Sequence, residues 1–281
     1  ADYRVDYLDL PDETALPYAR RLTDLLVEKY AGHRFDVVVV QRAEALGYLL
    51  ENRQALFPGV PIVFMDVTPG DLERLKPPPD VTGAVRTVEG QRTVALALDL
   101  LPVTRQVVIV GGASPFDRGA AEFARGLVEA KAKGLSVLSL DGLPLEEQLR
   151  RVAELPEDSL VIFTSYRADS LGRSTVAREI LQLVARAANA PTFGAADTWL
   201  GYGIVGGDLY QFDVLAGRTA GLAGRILKGE PPSSVSPIVE AASAPMFDWR
   251  ELRRWGIDER RLPAGSIVRF RETTIWSQYR W

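Results

Sequence analysis

His33 is the single histidine of a 281-residue chain that contains no cysteine. Those two counts remove thiolate nucleophiles, disulfides, zinc sites of Cys and His, and any metal site that needs two imidazoles. Hydrolytic chemistry would fall to His33, which lies in Ala31-Gly32-His33-Arg34 between a helix end and the amino end of a strand. A histidine there reads as a surface residue at a helix terminus. Asp66 and Asp117 have the type for general acid and base work, but nothing in the sequence sets their separation. No G-x-x-x-x-G-K, G-x-S-x-G or H-E-x-x-H occurs, so phosphate-cradling, acyl-transfer and zinc-protease mechanisms lack their residues. Gly201, Gly203 and Gly206 spell G-x-G-x-x-G. Ile204 and Val205 read as strand, no helix opens there, and no acidic residue follows about twenty positions on, which argues against a dinucleotide fingerprint.

Binding is better served than catalysis. Ligands of open parallel sheets collect beyond the carboxyl ends of the strands, and the residues in those places are polar and aromatic. Gln41 and Arg42 follow one strand, Asp66 and Thr68 the next, and Ser114, Phe116 and Asp117 a third. Tyr166, Arg167 and Asp169 follow a fourth, then Asp197 and Trp199 a fifth. Aromatic rings supply area in a small-molecule pocket and polar groups fix orientation. The same residues also read as loop polarity and helix caps, since Asp, Ser and Thr before a helix satisfy its free amides. Gly111-Gly112-Ala113-Ser114 either presents amides to an anion at a helix beginning near Asp117 or forms a tight turn closed by that Asp.

The elements that must carry these residues alternate between short β-branched runs and amphipathic stretches, the pattern of parallel sheets covered by helices. Strands are expected at Tyr3 to Leu8, Asp36 to Val40, Pro61 to Met65, Gln106 to Val110, Leu135 to Leu140, Leu160 to Thr164 and Thr192 to Ala195. Weaker ones are expected at Gly83 to Arg86 and Ser266 to Phe270. Val37 to Val40 and Val107 to Val110 lack polar alternation, as strands covered on both faces do. Leu16, Ala19, Leu22, Leu26 and Tyr30 mark one helix face; Ile180, Leu183, Val184 and Ala187 mark another. Pro77-Pro78-Pro79 marks a loop, and a long helix ends before Gly229 and Pro231.

At roughly 150 residues per domain the length suggests about two domains, and 47% hydrophobic residues can fill their cores. No apolar run approaches the roughly 20 residues needed to cross a bilayer. The formal charge of −4 gives no support to nucleic-acid binding. Residues 249–281 hold eight Arg and four acidic residues, so this tail is +4 and the remainder −8. Its aromatic and basic ending suits either a membrane-proximal segment or a packed terminal strand and helix. The first residue is Ala1, which suggests a segment of a longer product.

Several segments together resemble the type I periplasmic binding proteins, and within them the ABC-transporter substrate-binding family with tryptophan- or aromatic-amino-acid-binding members. They are Val60-Pro-Ile-Val-Phe-Met-Asp66, Val81-Thr82-Gly83, Leu101 to Val110, Pro191-Thr-Phe-Gly194, Gly206-Gly207 and Ala223-Gly-Arg-Ile-Leu-Lys-Gly229. Phe247 to Gly256, Leu262 to Ser266, Phe270 to Glu272 and Trp276-Ser-Gln-Tyr279 resemble the extension found where this domain is the extracytoplasmic sensor of a membrane histidine kinase. In the family an opening strand and helix precede the strand expected at Tyr3 to Leu8.

The resemblance implies two Rossmann-like α/β lobes with a ligand cleft between them. The amino lobe would hold residues 1–104 and 208–229, and the carboxyl lobe 105–207 with 230–281. It implies a non-enzymatic module that binds a small organic ligand, aromatic or amino-acid-like, and signals by hinge closure; the alternative is a free solute-binding component of an ABC uptake system. Phe116, Tyr166 and Trp199 would enclose the ligand while Asp66, Asp117 and Asp197 receive its donors. The implied setting is the periplasmic or extracellular face of a bacterial inner membrane, with a membrane-anchored parent chain, a homodimer as one arrangement, and no cofactor, metal or nucleic acid.

Overall fold

A computed structural model of the chain describes residues 2–8, 10, 16–87, 90–131, 134–239 and 241–271. The elements run α1 (Leu16–Tyr30), β1 (Val38–Gln41), α2 (Ala43–Leu56), β2 (Ile62–Val67), α3 (Pro69–Leu75), β3 (Val81–Val85), α4 (Gly90–Leu100), β4 (Gln106–Val110), α5 (Pro115–Lys131) and β5 (Ser136–Ser139). They continue α6 (Leu145–Val152), β6 (Ser159–Phe163), α7 (Ala177–Ala187), β7 (Thr192–Phe193), β8 (Gly206–Tyr210), α8 (Phe212–Leu227), β9 (Ser243–Asp248), α9 (Trp249–Arg254) and β10 (Ile267–Arg269).

The chain divides into two compact units, residues 1–88 with 212–242 and residues 89–211 with 243–281. The crossing points therefore differ from the expected 104, 207 and 230. The packing of α4 explains the first difference: Val94, Ala97 and Leu100 share a core with Val107 and Ile109 of β4 and with Ala121 and Ala124 of α5. Ile238 explains the last, because it bonds alongside β3 in the first unit.

In the first unit three parallel strands lie in the order β1-β2-β3. Ile62 and Phe64 face a core of Leu26, Leu46 and Leu49, while Val63 points the other way to Leu222, Ala223 and Ile226 of α8. Both faces of β2 are thus covered, as its unbroken apolar sequence requires. Gly83 of β3 sits in register with Phe64, and a Cβ there would lie 2.1 Å from the Phe64 carbonyl oxygen. Only glycine fits that approach. The expected strand at Tyr3 to Leu8 does not form: these residues pair with no strand, and Tyr3, Val5 and Tyr7 are 85%, 65% and 92% exposed.

In the second unit four parallel strands lie in the order β5-β4-β6-β7. Val107, Ile109, Leu160 and Ile162 enter one core with Ala121, Ala124 and Val128 of α5; Val108, Val110, Val161 and Phe163 enter the other with Leu181 and Val184 of α7. Period-two alternation between two apolar layers is why Val107 to Val110 carries no polar residue. Leu181 and Ala185 are buried on α7 and Leu183 is exposed, so its inner face is rotated from the expected one.

A second sheet, β10-β9-β8, was not legible as such. β8 opens on two glycines and β9 contains Pro245, both poor strand signals. β8 runs on from β7 through Val205 N to Thr192 O at 2.7 Å and Tyr210 N to Ala195 O at 2.8 Å. The tail packs through Arg250, whose guanidinium lies 4.4 Å from the Phe270 ring centre. Trp276 and Tyr279 lie outside the described residues. No helix among the described residues is long and apolar enough to cross a membrane.

Candidate functional site

The carboxyl edge of the first unit's sheet is built from irregular backbone. β1 ends at the exposed Gln41, and Arg42, with φ 78° and ψ 152°, turns the chain into α2. Its amide still reaches Met65 O at 2.9 Å, and its guanidinium meets Glu44 at 3.4 Å. One strand over, Asp66 has φ 59° where the β2–β3 register shifts between Met65 and Val67. Its carboxylate is ion-paired with Arg86 Nε at 2.9 Å, the side chains being 13% and 23% exposed. Such partly buried pairing fixes both groups at the edge.

Positive φ costs a non-glycine residue of order 1 kcal/mol or more. Among the described residues only Arg42, Asp66, Lys76 and Phe270 adopt it. Lys76 closes α3 in the left-handed conformation common at helix ends. The other two in the first unit stand at the ends of adjacent strands, where the sequence predicts ligand contacts. Thr68, by contrast, is a helix cap: its hydroxyl accepts from Asp71 N at 3.2 Å while Asp71 Oδ2 accepts from Thr68 N at 3.1 Å. Burial pushes the Asp71 carboxyl up, but its bonds from Thr68 and Arg74 outweigh this and leave it below the usual range.

At the second unit's edge Asp117 organises the loops. It is fully buried, and its carboxylate accepts from Ser114 N at 3.2 Å, Arg167 N at 2.9 Å and Ala168 N at 3.2 Å. The loop after β6 is thereby stapled to the start of α5. In return the Ser114 hydroxyl accepts from Asp117 N at 3.1 Å, a reciprocal cap. The glycines are part of the same device, since a Cβ on Gly112 would sit 2.4 Å from Asp117 Oδ2. Gly112 N donates to Ser165 O at 2.8 Å and Ala113 N to Ala168 O at 2.9 Å. These amides are consumed inside the protein, so the segment is the tight turn and not the anion cradle.

Tyr166 is fully buried, its ring stacked on Phe163 with centroids 6.4 Å apart. Burial, followed by the charges of Asp169 and Asp117, pushes its phenol above the ordinary range. It is a core residue in this conformation and not an open ring. Asp169 is 9% exposed and closes its own loop, accepting from the amides of Leu171 and Arg173 at 2.9 Å each and from Arg173 Nε at 2.6 Å. The Arg173 backbone amide is the main reason its carboxyl lies below the usual range.

The remaining residues are accessible. Asp197 and Trp199 form a single 3-10 turn, both partly exposed, with Trp199 edge-on to Phe163 at 5.2 Å. Phe116 is 36% exposed, and the Arg167 guanidinium sits over its ring, 3.4 Å from the centre. The ring face and the cation attract each other and hold both side chains at this edge. Arg86 is absent from the expected contacts; it ends the weaker strand expected at Gly83 to Arg86, so its place at the strand's carboxyl end was the signal. Among the described residues no group of three His, Asp or Glu side chains could hold a metal ion. A cavity of about 140 Å³, lined by Val103, Asp158, Asn189 and Trp255 among others, lies at the amino ends of β6 and β7, away from this edge.

Three solved structures share the architecture. A conserved domain protein from Vibrio cholerae O1 biovar El Tor is 21% identical, with a TM-score of 0.59 over 87% of this chain and 83% of that one. The ABC domain from Streptococcus pneumoniae in complex with L-Trp is 16% identical, with a TM-score of 0.62 over 89% of this chain and 84% of that one. A substrate-binding protein with adhesive properties from Clostridium difficile, ligand-free and open, is 15% identical, with a TM-score of 0.62 over 91% and 83%. No family model matches this chain, and no curated protein matches it. The likeness shows the fold, two α/β units with parallel sheets of the type I periplasmic binding protein kind.

Proposed function

We propose that this chain binds a small organic molecule, aromatic or amino-acid-like, as a non-enzymatic extracytoplasmic solute-binding protein of an ABC uptake system. The observation that carries this reading is the backbone strain at Arg42 and Asp66, side by side at the carboxyl ends of β1 and β2. Arg42 is the N-cap of α2 without a side-chain cap bond and Asp66 lies at the register shift of β2, and strained backbone at two neighbouring strand ends is a mark of places where geometry serves binding. The Streptococcus pneumoniae relative in fold was solved with L-Trp, and the Clostridium difficile one is a substrate-binding protein, which supports the ligand class.

In this reading Gln41, Arg42 and Asp66 contribute contacts from the first unit and Phe116, Arg167, Asp197 and Trp199 from the second. Phe116 and Trp199 give apolar area; the arginines and aspartates meet the ligand's charged ends. Thr68, Ser114, Asp117, Tyr166 and Asp169 hold the loops. A ligand that touches both units favours a closed arrangement by its differential affinity, and a permease would then read the closed form. A second reading, the sensor module of a membrane histidine kinase, rests on the resemblance of residues 247–279 to such extensions; there closure would act on the tail.

Calorimetry against aromatic amino acids, L-Trp first, then other amino acids, aromatic acids and sugars, tests the proposal. Binding is expected, and Arg42→Gly is expected to weaken it about tenfold while the unliganded melting temperature stays level or rises, since glycine relieves the strain. If no compound binds, or if the glycine variant binds as well as the parent, the reading fails.

A further inference from the structure

The three crossings between the units, at 88/89, 211/212 and 242/243, are made by segments far apart in sequence. On the second-unit side all three segments meet at one residue, Asp208. It stands on β8 just before the second crossing. Thr93 lies in the first turn of α4 just past the first, and Ser243 is the first residue after the third.

The Thr93 hydroxyl accepts from Asp208 N at 3.0 Å and donates to Asp208 O at 3.1 Å. A neighbouring strand ordinarily supplies those two bonds. To either side of Asp208 the backbone does find one: Gly206 O accepts from Gly194 N at 3.3 Å, and Tyr210 N donates to Ala195 O at 2.8 Å. Between them a helix side chain takes the place of the ladder. Threonine can do so because one hydroxyl both gives and takes a hydrogen bond. Gly207 lets the helix come this close, since a Cβ there would lie 2.9 Å from both Oγ1 and Cγ2 of Thr93. Thr93 and Asp208 are buried, so water competes weakly for these bonds.

The carboxylate of the same residue holds the third segment. Ser243 Oγ donates to Asp208 Oδ2 at 2.8 Å, a bond strengthened by the charge of its acceptor. Ser243 also stands opposite Tyr210 in the antiparallel register of β8 and β9.

We propose that Thr93, Asp208 and Ser243 weld the second-unit ends of the three crossings into one body, so that the units move by one shared rotation. Crossings anchored separately would bend and twist independently; anchored to one body, they leave only the motion that all three allow. Bending then falls to the residues at the crossings themselves. Asp208 is not among the proposed ligand contacts, so the weld stands apart from the ligand reading.

Spin labelling tests the weld. The chain has no cysteine, so labels at Gln54→Cys and Glu129→Cys, exposed helix positions in different units, attach nowhere else. Double electron–electron resonance then reads the spread of distances between the units with no ligand added. One narrow distribution is expected for the labelled parent. Thr93→Val keeps the shape, removes both bonds and is expected to widen the distribution about twofold. Ser243→Ala widens it as well, while Thr93→Ser keeps the hydroxyl and the parent width. Melting curves show that each variant is folded; should Thr93→Val not fold, Ser243→Ala decides. A parent as broad as the variants, a width indifferent to these substitutions, or a Thr93→Ser variant as broad as Thr93→Val would each overturn the proposal.

Discussion

Asp117 shows how much a single residue's surroundings change its meaning. As a carboxylate just beyond a strand it reads as a ligand contact, yet it is wholly buried and accepts bonds from three different backbone amides. Charge-assisted bonds of this kind are worth about 1.5–3 kcal/mol each when one partner is removed. Asp117→Asn keeps the shape but points an amide group at amide donors. It is expected to lower stability by about 2–3 kcal/mol in urea unfolding, and to weaken binding because Arg167 and Phe116 lose their fixed positions. Unchanged urea midpoints would show that the staple is not what holds these loops. Ser114 and Thr68 follow the same rule: their hydroxyls serve helix ends. Gln41, Arg42, Phe116 and Trp199 are partly or fully exposed.

At the scale of elements, α3 offers a pH test. Asp71 receives bonds from Thr68 and Arg74, and its carboxyl lies below the ordinary value of 3.8 despite its burial. A carboxyl depressed in the folded state stabilises above its unfolded value and loses that contribution as pH falls through the folded one. Acid unfolding followed by circular dichroism should therefore steepen below about pH 4, and Asp71→Asn should flatten that part of the curve; identical curves would exclude a role for the cap. Elements also show where local sequence suffices. β4 was legible to the residue because two apolar layers demand an unbroken run, and α8 because glycine and proline stop it. β8 and β9 were not, since Gly206, Gly207 and Pro245 are tolerated only where particular neighbours approach. A Cβ on Gly207 would lie 2.4 Å from the Gly194 carbonyl oxygen, a constraint that exists only after folding.

For the whole molecule, the chain crosses between its two units three times, at 88/89, 211/212 and 242/243. Units with separate cores move relative to one another by default. If ligand contacts come from both units, small-angle scattering should show a smaller radius of gyration with the ligand than without it. A radius that does not change on saturation would confine the ligand to one unit and remove the closure mechanism.

Composition and periodicity by themselves determined the alternation of strand and helix and the sheet edge at which the expected contacts lie. They did so because apolar period and strand direction are local properties. Which of the expected contacts face solvent was decided by tertiary structure alone. Whether Asp117 caps, Tyr166 packs or Arg167 stacks depends on amides and rings fifty residues away, brought within bonding distance only when β4 and β6 pair. Tyr3 to Leu8 makes the same point in reverse: it has strand propensity, but a strand exists only beside another, and no propensity supplies the partner.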